Sequence, residues 1–278
     1  LIRLAALEGW PLTAWRGLLI GGGMLLGWMI LSGRQMGADL RQIPTMPFLV
    51  IMLANGGNTM CFNFAVVETS IIVVLTALAT VPVLAALLSF VILGEATTRR
   101  TWQAIGMTMA GVLIVIFNGE GALAAPDGSV FLGGFLGVMT AFCIAVVFVV
   151  TRRYPQTPVL LAVSLGTLGT GFIGFGGTTL DEMMAGTLWA VLVMCLLVMP
   201  LAWCLLSLAP RYTAPTNVSL LMLLEMVLGP FWVWLGTGER PSPMMLVGAA
   251  IVLLTLASYI IATARAEARL RAEDEPET

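Results

Sequence analysis

Residues 65–95 read AVVETSIIVVLTALATVPVLAALLSFVILGE, and they align without gaps on residues 209–239, APRYTAPTNVSLLMLLEMVLGPFWVWLGTGE, displaced by 144 positions (209 − 65). Identities between the two stretches are few. However, each contains a long apolar helix interrupted by proline, Pro82 in the first and Pro230 in the second, and each closes on Gly-Glu. One further apolar segment follows each stretch. The pattern predicts that the chain is built from two copies of one unit.

The composition is that of an integral membrane protein. Of 278 residues, 59% are hydrophobic and 10% are charged, and the mean hydropathy is +1.00, whereas soluble domains carry about 25% charged residues. No segments alternate between apolar and polar residues as a membrane barrel requires, so the predicted fold class is all-α. Most apolar runs approach the ~20 residues that a membrane-spanning helix needs. They predict nine spans, over residues 13–32, 46–64, 70–94, 101–117, 130–151, 158–178, 185–207, 215–236 and 243–263.

The repeat also predicts the topology. If each copy has five helices, an odd number, the second copy is inserted upside down relative to the first, which is the inverted-repeat plan of secondary transporters. This plan requires a tenth span, which we expect mostly upstream of residue 13, since residues 1–7 are already apolar; an interfacial N-terminal helix is the alternative. The predicted parts are residues 1–118, the first repeat with its first helix incomplete; 119–129, a linker; 130–264, the second repeat; and 265–278, a charged tail.

Arginine sets the predicted orientation, because the chain contains neither Lys nor His. The positive-inside rule places arginine-rich loops in the cytoplasm. All but three of the arginines fall in alternate loops or in the tail: Arg34, Arg41, Arg99, Arg100, Arg152, Arg153, Arg211, Arg265, Arg269 and Arg271. The C-terminus is therefore expected in the cytoplasm. Arg240, in an opposite loop, is an exception.

Two segments resemble the paired EamA domains of the drug/metabolite transporter superfamily: VPVLAALLSFVILGEATTRRTWQAIGMTMAGVLIV, residues 81–115, and LLEMVLGPFWVWLGTGERPSPMMLVGAAIVLL, residues 223–254. Each has a helix-closing Gly-Glu, a polar linker and a glycine early in the next helix: Gly94, Glu95 and Gly106, then Gly238, Glu239 and Gly248. The resemblance implies ten helices in two inverted halves, both termini in the cytoplasm of a bacterial inner membrane, and export of small metabolites such as amino acids. The chain departs from the family in its incomplete first helix and at Met226, where the second half often has proline.

A single carboxylate, Glu225, lies near the middle of the otherwise uncharged residues 219–235. A charge at such a depth costs about 2.5–3.5 kcal/mol on insertion scales, so Glu225 must face protein or water. Three interpretations stay open: a proton-coupling group, a contact to a substrate amine, and a structural hydrogen bond. Trp232 lies on the same helical stripe, where an indole and a carboxylate could together hold an ammonium compound; an interfacial aromatic belt is the alternative for Trp232.

The span containing FLVIMLANGGNTMCFNF, residues 48–64, is the most polar one. It carries Asn55, Asn58, Thr59 and Asn63 on one helical face. These side chains either bind a polar substrate or bond neighbouring helices, each such bond being worth ~0.6 kcal/mol. The residues 144 positions further on are mostly apolar and include Trp203, so the two halves offer different chemistry, which suits an amphiphilic substrate.

Other residues receive structural interpretations. Thr76 and Thr80 are expected to bond back to carbonyls freed near Pro82, and the glycines of residues 166–177 to allow close helix packing. Arg16 is interpreted as a residue at a membrane boundary. The cysteines are interpreted as buried small apolar residues.

The sequence therefore predicts a secondary transporter that works by alternating access. An uncoupled facilitator or drug-cation exporter is one alternative, and a non-transporting membrane scaffold is another. Without His the chain lacks the commonest general base and metal ligand, and no nucleophile elbow is present, so we expect no enzymatic activity, cofactor or metal. The expected partners are a small-molecule substrate and the lipid bilayer, with no nucleic acid.

Overall fold

A computed structural model describes residues 10–33, 37, 43–69, 71–95, 97–117, 129–179, 192, 194–224, 228 and 243–274 of the chain. The regular structure within these ranges is helical throughout. The helices are α1 (Trp10–Ser32), α2 (Thr45–Glu68), α3 (Ile71–Leu78), α4 (Val81–Leu88), α5 (Arg99–Phe117), α6 (Val130–Arg153), α7 (Val159–Gly176), α8 (Met199–Leu208), α9 (Pro215–Leu224) and α10 (Pro243–Asp274).

Five helical segments of the described ranges are long and apolar enough to cross a membrane: Thr13–Ser32, Thr45–Glu68, Val73–Leu93, Phe131–Arg153 and Val159–Gly176. They coincide with five of the predicted spans. Helix α5 covers the predicted span 101–117, and α10 covers 243–263. The predicted spans 185–207 and 215–236 fall only partly within the described residues. The described part of the chain is all-helical, and its apolar helices indicate a multi-pass membrane protein.

The span around Pro82 is interrupted. Helix α3 ends at Leu78, and α4 begins at Val81 with Pro82 in its first turn, where a missing N–H is tolerated. Thr80 Oγ1 donates to the carbonyl of Ala77 at 2.6 Å, as predicted. The same prediction was wrong for Thr76, because its Oγ1 is buried and meets no hydrogen-bond partner in the described part of the chain.

The same span ends at the glycine of its Gly-Glu pair. Helix α4 continues into a π-helical turn, Ser89–Leu93, and Gly94 caps this turn with a φ of 71°. This left-handed conformation suits glycine because glycine has no Cβ to clash with the following carbonyl. The helix-closing role of Gly94 thus has a steric cause.

The chain divides into two compact units. The first comprises Leu1–Gly94 and Leu123–Val218, and the second comprises Glu95–Ala122 and Ser219–Thr278. In the first unit, α2 packs on both α6 and α7, α1 packs along α7, and α3 and α4 lie on α6. In the second unit, α5 packs along α10.

Helices α1 and α7 run antiparallel in close contact. Gly17 meets the backbone of Gly171, and Ala14 meets Gly174, so residue numbers rise along one helix as they fall along the other. A Cβ added at Gly174 would lie 2.7 Å from the Ala14 nitrogen, closer than such atoms approach. The predicted role of the glycines of residues 166–177 in close packing is confirmed for Gly171 and Gly174, but not for Gly169 and Gly176, where an added Cβ meets nothing within 4 Å.

Helices α5 and α10 also run antiparallel. Near the start of α5, Thr101 Oγ1 lies 3.2 Å from Tyr259 Oη of α10. Further along α5, a Cβ added at Gly111 would lie 2.9 Å from the carbonyl oxygen of Gly248, near the start of α10. The small residue at position 111 therefore sets the approach of these two helices.

Three helix boundaries recur at a displacement of 144 positions. The pairs are the ends of α1 and α7, at Ser32 and Gly176; the starts of α3 and α9, at Ile71 and Pro215; and the starts of α5 and α10, at Arg99 and Pro243. The displacement is the one that aligns residues 65–95 with residues 209–239.

Candidate substrate site

The first residue of the polar face of α2, Asn55, joins this helix to α7. Its Nδ2 donates to Thr167 Oγ1 at 2.8 Å and to the carbonyl oxygen of Val163 at 3.1 Å. Thr59 Oγ1 donates to the carbonyl oxygen of Asn55 at 3.1 Å, one turn back along the same helix. The side chain of Asn55 thus holds α2 against α7, and that of Thr59 bonds within α2.

Asn58 is different, although it lies on the same face. It is buried, at 7% exposure, and its side chain makes no hydrogen bond within the described ranges. An asparagine amide offers two donors and an acceptor, and burying such a group unpaired costs about 1–3 kcal/mol. Asn58 therefore has hydrogen-bonding capacity available for a ligand.

At the other end of this face, Asn63 joins α2 to α1. Asn63 Nδ2 donates to Thr13 Oγ1 at 2.9 Å, and Asn63 Oδ1 accepts from Arg16 Nη1 at 3.4 Å. Thr13 and Arg16 are three residues apart and share one face of α1, so both reach the same amide.

Arg16 lies within the span Thr13–Ser32, six residues from the start of α1 at Trp10. Its Nε is buried without a hydrogen-bond partner, and its guanidinium carbon lies 5.7 Å from the ring centroid of Phe62, at cation–π distance. No carboxylate among the described residues pairs with it. Arg16 is the fourth residue of that span, and an arginine at the centre of a membrane helix would cost about 2.5–3.5 kcal/mol on insertion scales.

These contacts join Arg16 to α2 from the fourth residue of the span Thr13–Ser32, and the boundary interpretation of Arg16 stays a prediction. The sequence held one sign of this contact. Thr13 and Arg16 have the spacing that places two polar side chains on one face of an apolar helix. The partner on α2, 47 positions from Arg16, follows from tertiary packing.

The remaining predicted residues lie elsewhere. Trp203 is half-buried on α8, a helix that packs on α1 where Gly23 faces Pro200. Glu225, Pro230 and Trp232 lie outside the described residues. The structure thus brings Asn55 together with Thr59, and it brings Asn63 together with a residue that the sequence assigned to the boundary.

Comparison with known proteins gives a family match over part of the chain and a fold. Residues 2–117 match the EamA-like transporter family. No curated protein matches the chain. A protein of known crystal structure aligns with a TM-score of 0.73 at 17% sequence identity, covering 93% of this chain and 90% of that one, and it is one of 23 matching chains of solved structures. At this identity the likeness shows the fold alone.

Proposed function

We propose that the protein is a secondary transporter, on the ground that residues 2–117 match the EamA-like transporter family. It exports small metabolites, amino acids or related amphiphilic compounds, by alternating access. The family match is the observation that carries this proposal. The family is one of transporters, not of enzymes, so the proposal includes no chemical reaction.

The proposed architecture is ten helices in two inverted repeats, in a bacterial inner membrane, with the C-terminus in the cytoplasm. Inversion requires that equivalent helices of the two repeats run in opposite directions. Two pairs of helices with boundaries displaced by 144 positions, α1 with α7 and α5 with α10, are antiparallel. This relation supports inversion independently of sequence identity. The arginine-rich loops support the orientation.

The proposed substrate site lies along the polar face of α2. Among the predicted residues, the contacts favour Asn58 as a direct ligand, because it has hydrogen-bonding capacity available, while the amide of Asn63 bonds to Thr13 and Arg16. Asn55 bonds this face to α7, and Thr59 bonds within α2. The predicted set also includes Trp203, Trp232 and Glu225, and Glu225 remains the proposed proton-coupling group.

The test is transport by the full-length protein in liposomes. Uptake of a panel of labelled amino acids is measured under an imposed pH gradient, for the wild type and for Glu225→Gln. We expect the gradient to drive uptake in the wild type. In Glu225→Gln we expect the gradient dependence to be lost while exchange of the compound across the membrane continues, because a side chain that cannot ionise cannot carry the proton.

A matched control is Glu68→Gln, which removes the carboxylate at the end of α2 and should leave the gradient dependence unchanged. If uptake by the wild type is the same with and without the pH gradient, the result would favour an uncoupled facilitator. If no compound moves, and Glu225→Gln changes only the stability of the protein, transport is contradicted in favour of a scaffold.

A further inference from the structure

Arg16 is a part-buried cation whose counter-ion the described part of the chain does not supply. None of the carboxylates whose side chains the structure describes, such as Glu68 at the end of α2, makes an ion pair with it. The groups around the guanidinium are neutral: the Asn63 amide, the ring of Phe62 and the thiol of Cys195. Neutral groups orient a guanidinium, but they leave its positive charge uncompensated.

The hydrogen bonds of Arg16 are also incomplete. A guanidinium carries five N–H donors in a planar fork. One donor reaches Asn63 Oδ1, at the long distance of 3.4 Å, and the buried Nε has no partner. A carboxylate is the group that matches this fork, because its two oxygens accept two parallel hydrogen bonds and its charge compensates the arginine.

The surroundings hold the guanidinium in place for such a ligand. Asn63 donates to Thr13, which fixes the orientation of its amide and directs Oδ1 towards Arg16. The ring of Phe62, the residue before Asn63, lies 5.7 Å from the guanidinium carbon. Both contacts come from α2, so the position of the charge depends on the helix that carries the candidate substrate face.

We propose that Arg16 binds a carboxylate of the transported compound, with Asn63 as the residue that positions the guanidinium. The substrate class is then one of carboxylic acids, including amino acids, and excludes compounds that are only cationic. This inference rests on the proposed function in one respect, namely that the bound compound is also transported. The anion site itself rests on the contacts of Arg16.

The test measures binding and transport separately, with the full-length purified protein. Binding is measured as the rise in the melting temperature of the protein when a compound is added. The compounds are the amino acids and a set of short monocarboxylates, and each acid is compared with its carboxamide. We expect at least one acid to raise the melting temperature of the wild type while its carboxamide does not. Arg16→Gln should lose this rise, and Arg153→Gln, which removes an exposed arginine of α6, should keep it.

Two further variants keep a cation in place. Arg16→Lys retains the charge without the fork, and it should weaken binding of the acid at least tenfold. Asn63→Asp places a carboxylate of the chain itself beside the guanidinium, so it should compete with added acid and also weaken binding at least tenfold. Because Asn63→Asp retains Arg16, it decides the question if Arg16→Gln fails to fold.

The proposal is overturned if no acid raises the melting temperature of the wild type, if acid and carboxamide act alike, or if Asn63→Asp binds the acid as the wild type does. Flux of the bound compound in liposomes separates this result from the proposed function. Binding that depends on Arg16 without any flux would overturn transport and leave the anion site. Flux that is equal in the wild type and Arg16→Gln would leave transport and overturn the anion site.

Discussion

Asn55 on α2 and Thr167 on α7 are joined by a hydrogen bond of 2.8 Å between Nδ2 and Oγ1, across 112 positions of sequence. The second N–H of the same amide group is directed to the carbonyl oxygen of Val163, 3.1 Å away. Thr167 Oγ1 in turn donates to that carbonyl oxygen at 2.9 Å. The three groups form a closed polar contact inside the first unit, in a layer where water is absent to replace it.

This contact predicts a measurable coupling between the two side chains. Asn55→Ala and Thr167→Val should each lower the free energy of unfolding, and the double variant should lower it by less than the sum. The expected coupling is about 0.6–1.7 kcal/mol, the range of hydrogen bonds between membrane helices. Thr59→Val is the control, because Thr59 bonds within its own helix and should show no coupling to Thr167. Strictly additive effects of Asn55→Ala and Thr167→Val would mean that the bond does not form.

The contact between α1 and α7 predicts opposite outcomes for two glycines of the same helix. Gly171→Ala forces a methyl group into the backbone at Gly17 and should cost about 1–3 kcal/mol of folding free energy, as overpacking does. A Cβ at Gly169 meets nothing within 4 Å. Gly169→Ala should therefore be neutral or stabilise the helix, by up to about 1 kcal/mol. Unfolding of both variants in the same detergent decides the matter, and equal losses would contradict the packing described.

The threonines before Pro82 form a second matched pair. Thr80→Val removes the hydrogen bond to the carbonyl of Ala77 and should lower stability by about 1 kcal/mol. Thr76→Val replaces a buried hydroxyl that has no partner among the described residues with a methyl group of similar shape, and this should leave stability unchanged or raise it. Thermal unfolding of the two variants tests the difference. A larger loss for Thr76→Val than for Thr80→Val would show that the assignment is reversed.

The antiparallel packing of α5 on α10 predicts which cysteine pairs can be cross-linked. The natural cysteines, Cys61, Cys143, Cys195 and Cys204, are free and are first replaced by serine or alanine. Thr101→Cys combined with Tyr259→Cys should then form a cross-link with a bifunctional reagent long enough to replace the tyrosine ring, because the side chains of Thr101 and Tyr259 meet. The pair of Thr101→Cys with Met244→Cys, at the opposite end of α10, should not. The reverse result on denaturing gels would mean that the helices run parallel, which an inverted repeat forbids for this pair.

The spans were readable from the sequence because hydropathy and helix breakers act locally. Residues 13–32 were predicted and Thr13–Ser32 is found, and the interruption before Pro82 follows from the chemistry of one residue. The polar face of α2 was also readable, as a spacing. The residues that bond to this face could not be predicted, because Thr167 lies 112 positions from Asn55 and their pairing depends on how α2 packs against α7. The contact of Arg16 with Asn63 could not be predicted for the same reason, since it is a property of two helices. The role of Glu225 stays a prediction.

The meeting of Gly17 and Gly171 has a consequence for natural variation. Every other amino acid carries a Cβ, so any missense change in either codon adds atoms where the backbones already touch. Even the smallest substitution, glycine to alanine, adds a methyl group at either position. In a population of related sequences, these two sites should accept no single substitution, even where exposed aromatic and aliphatic residues of the same helices drift freely.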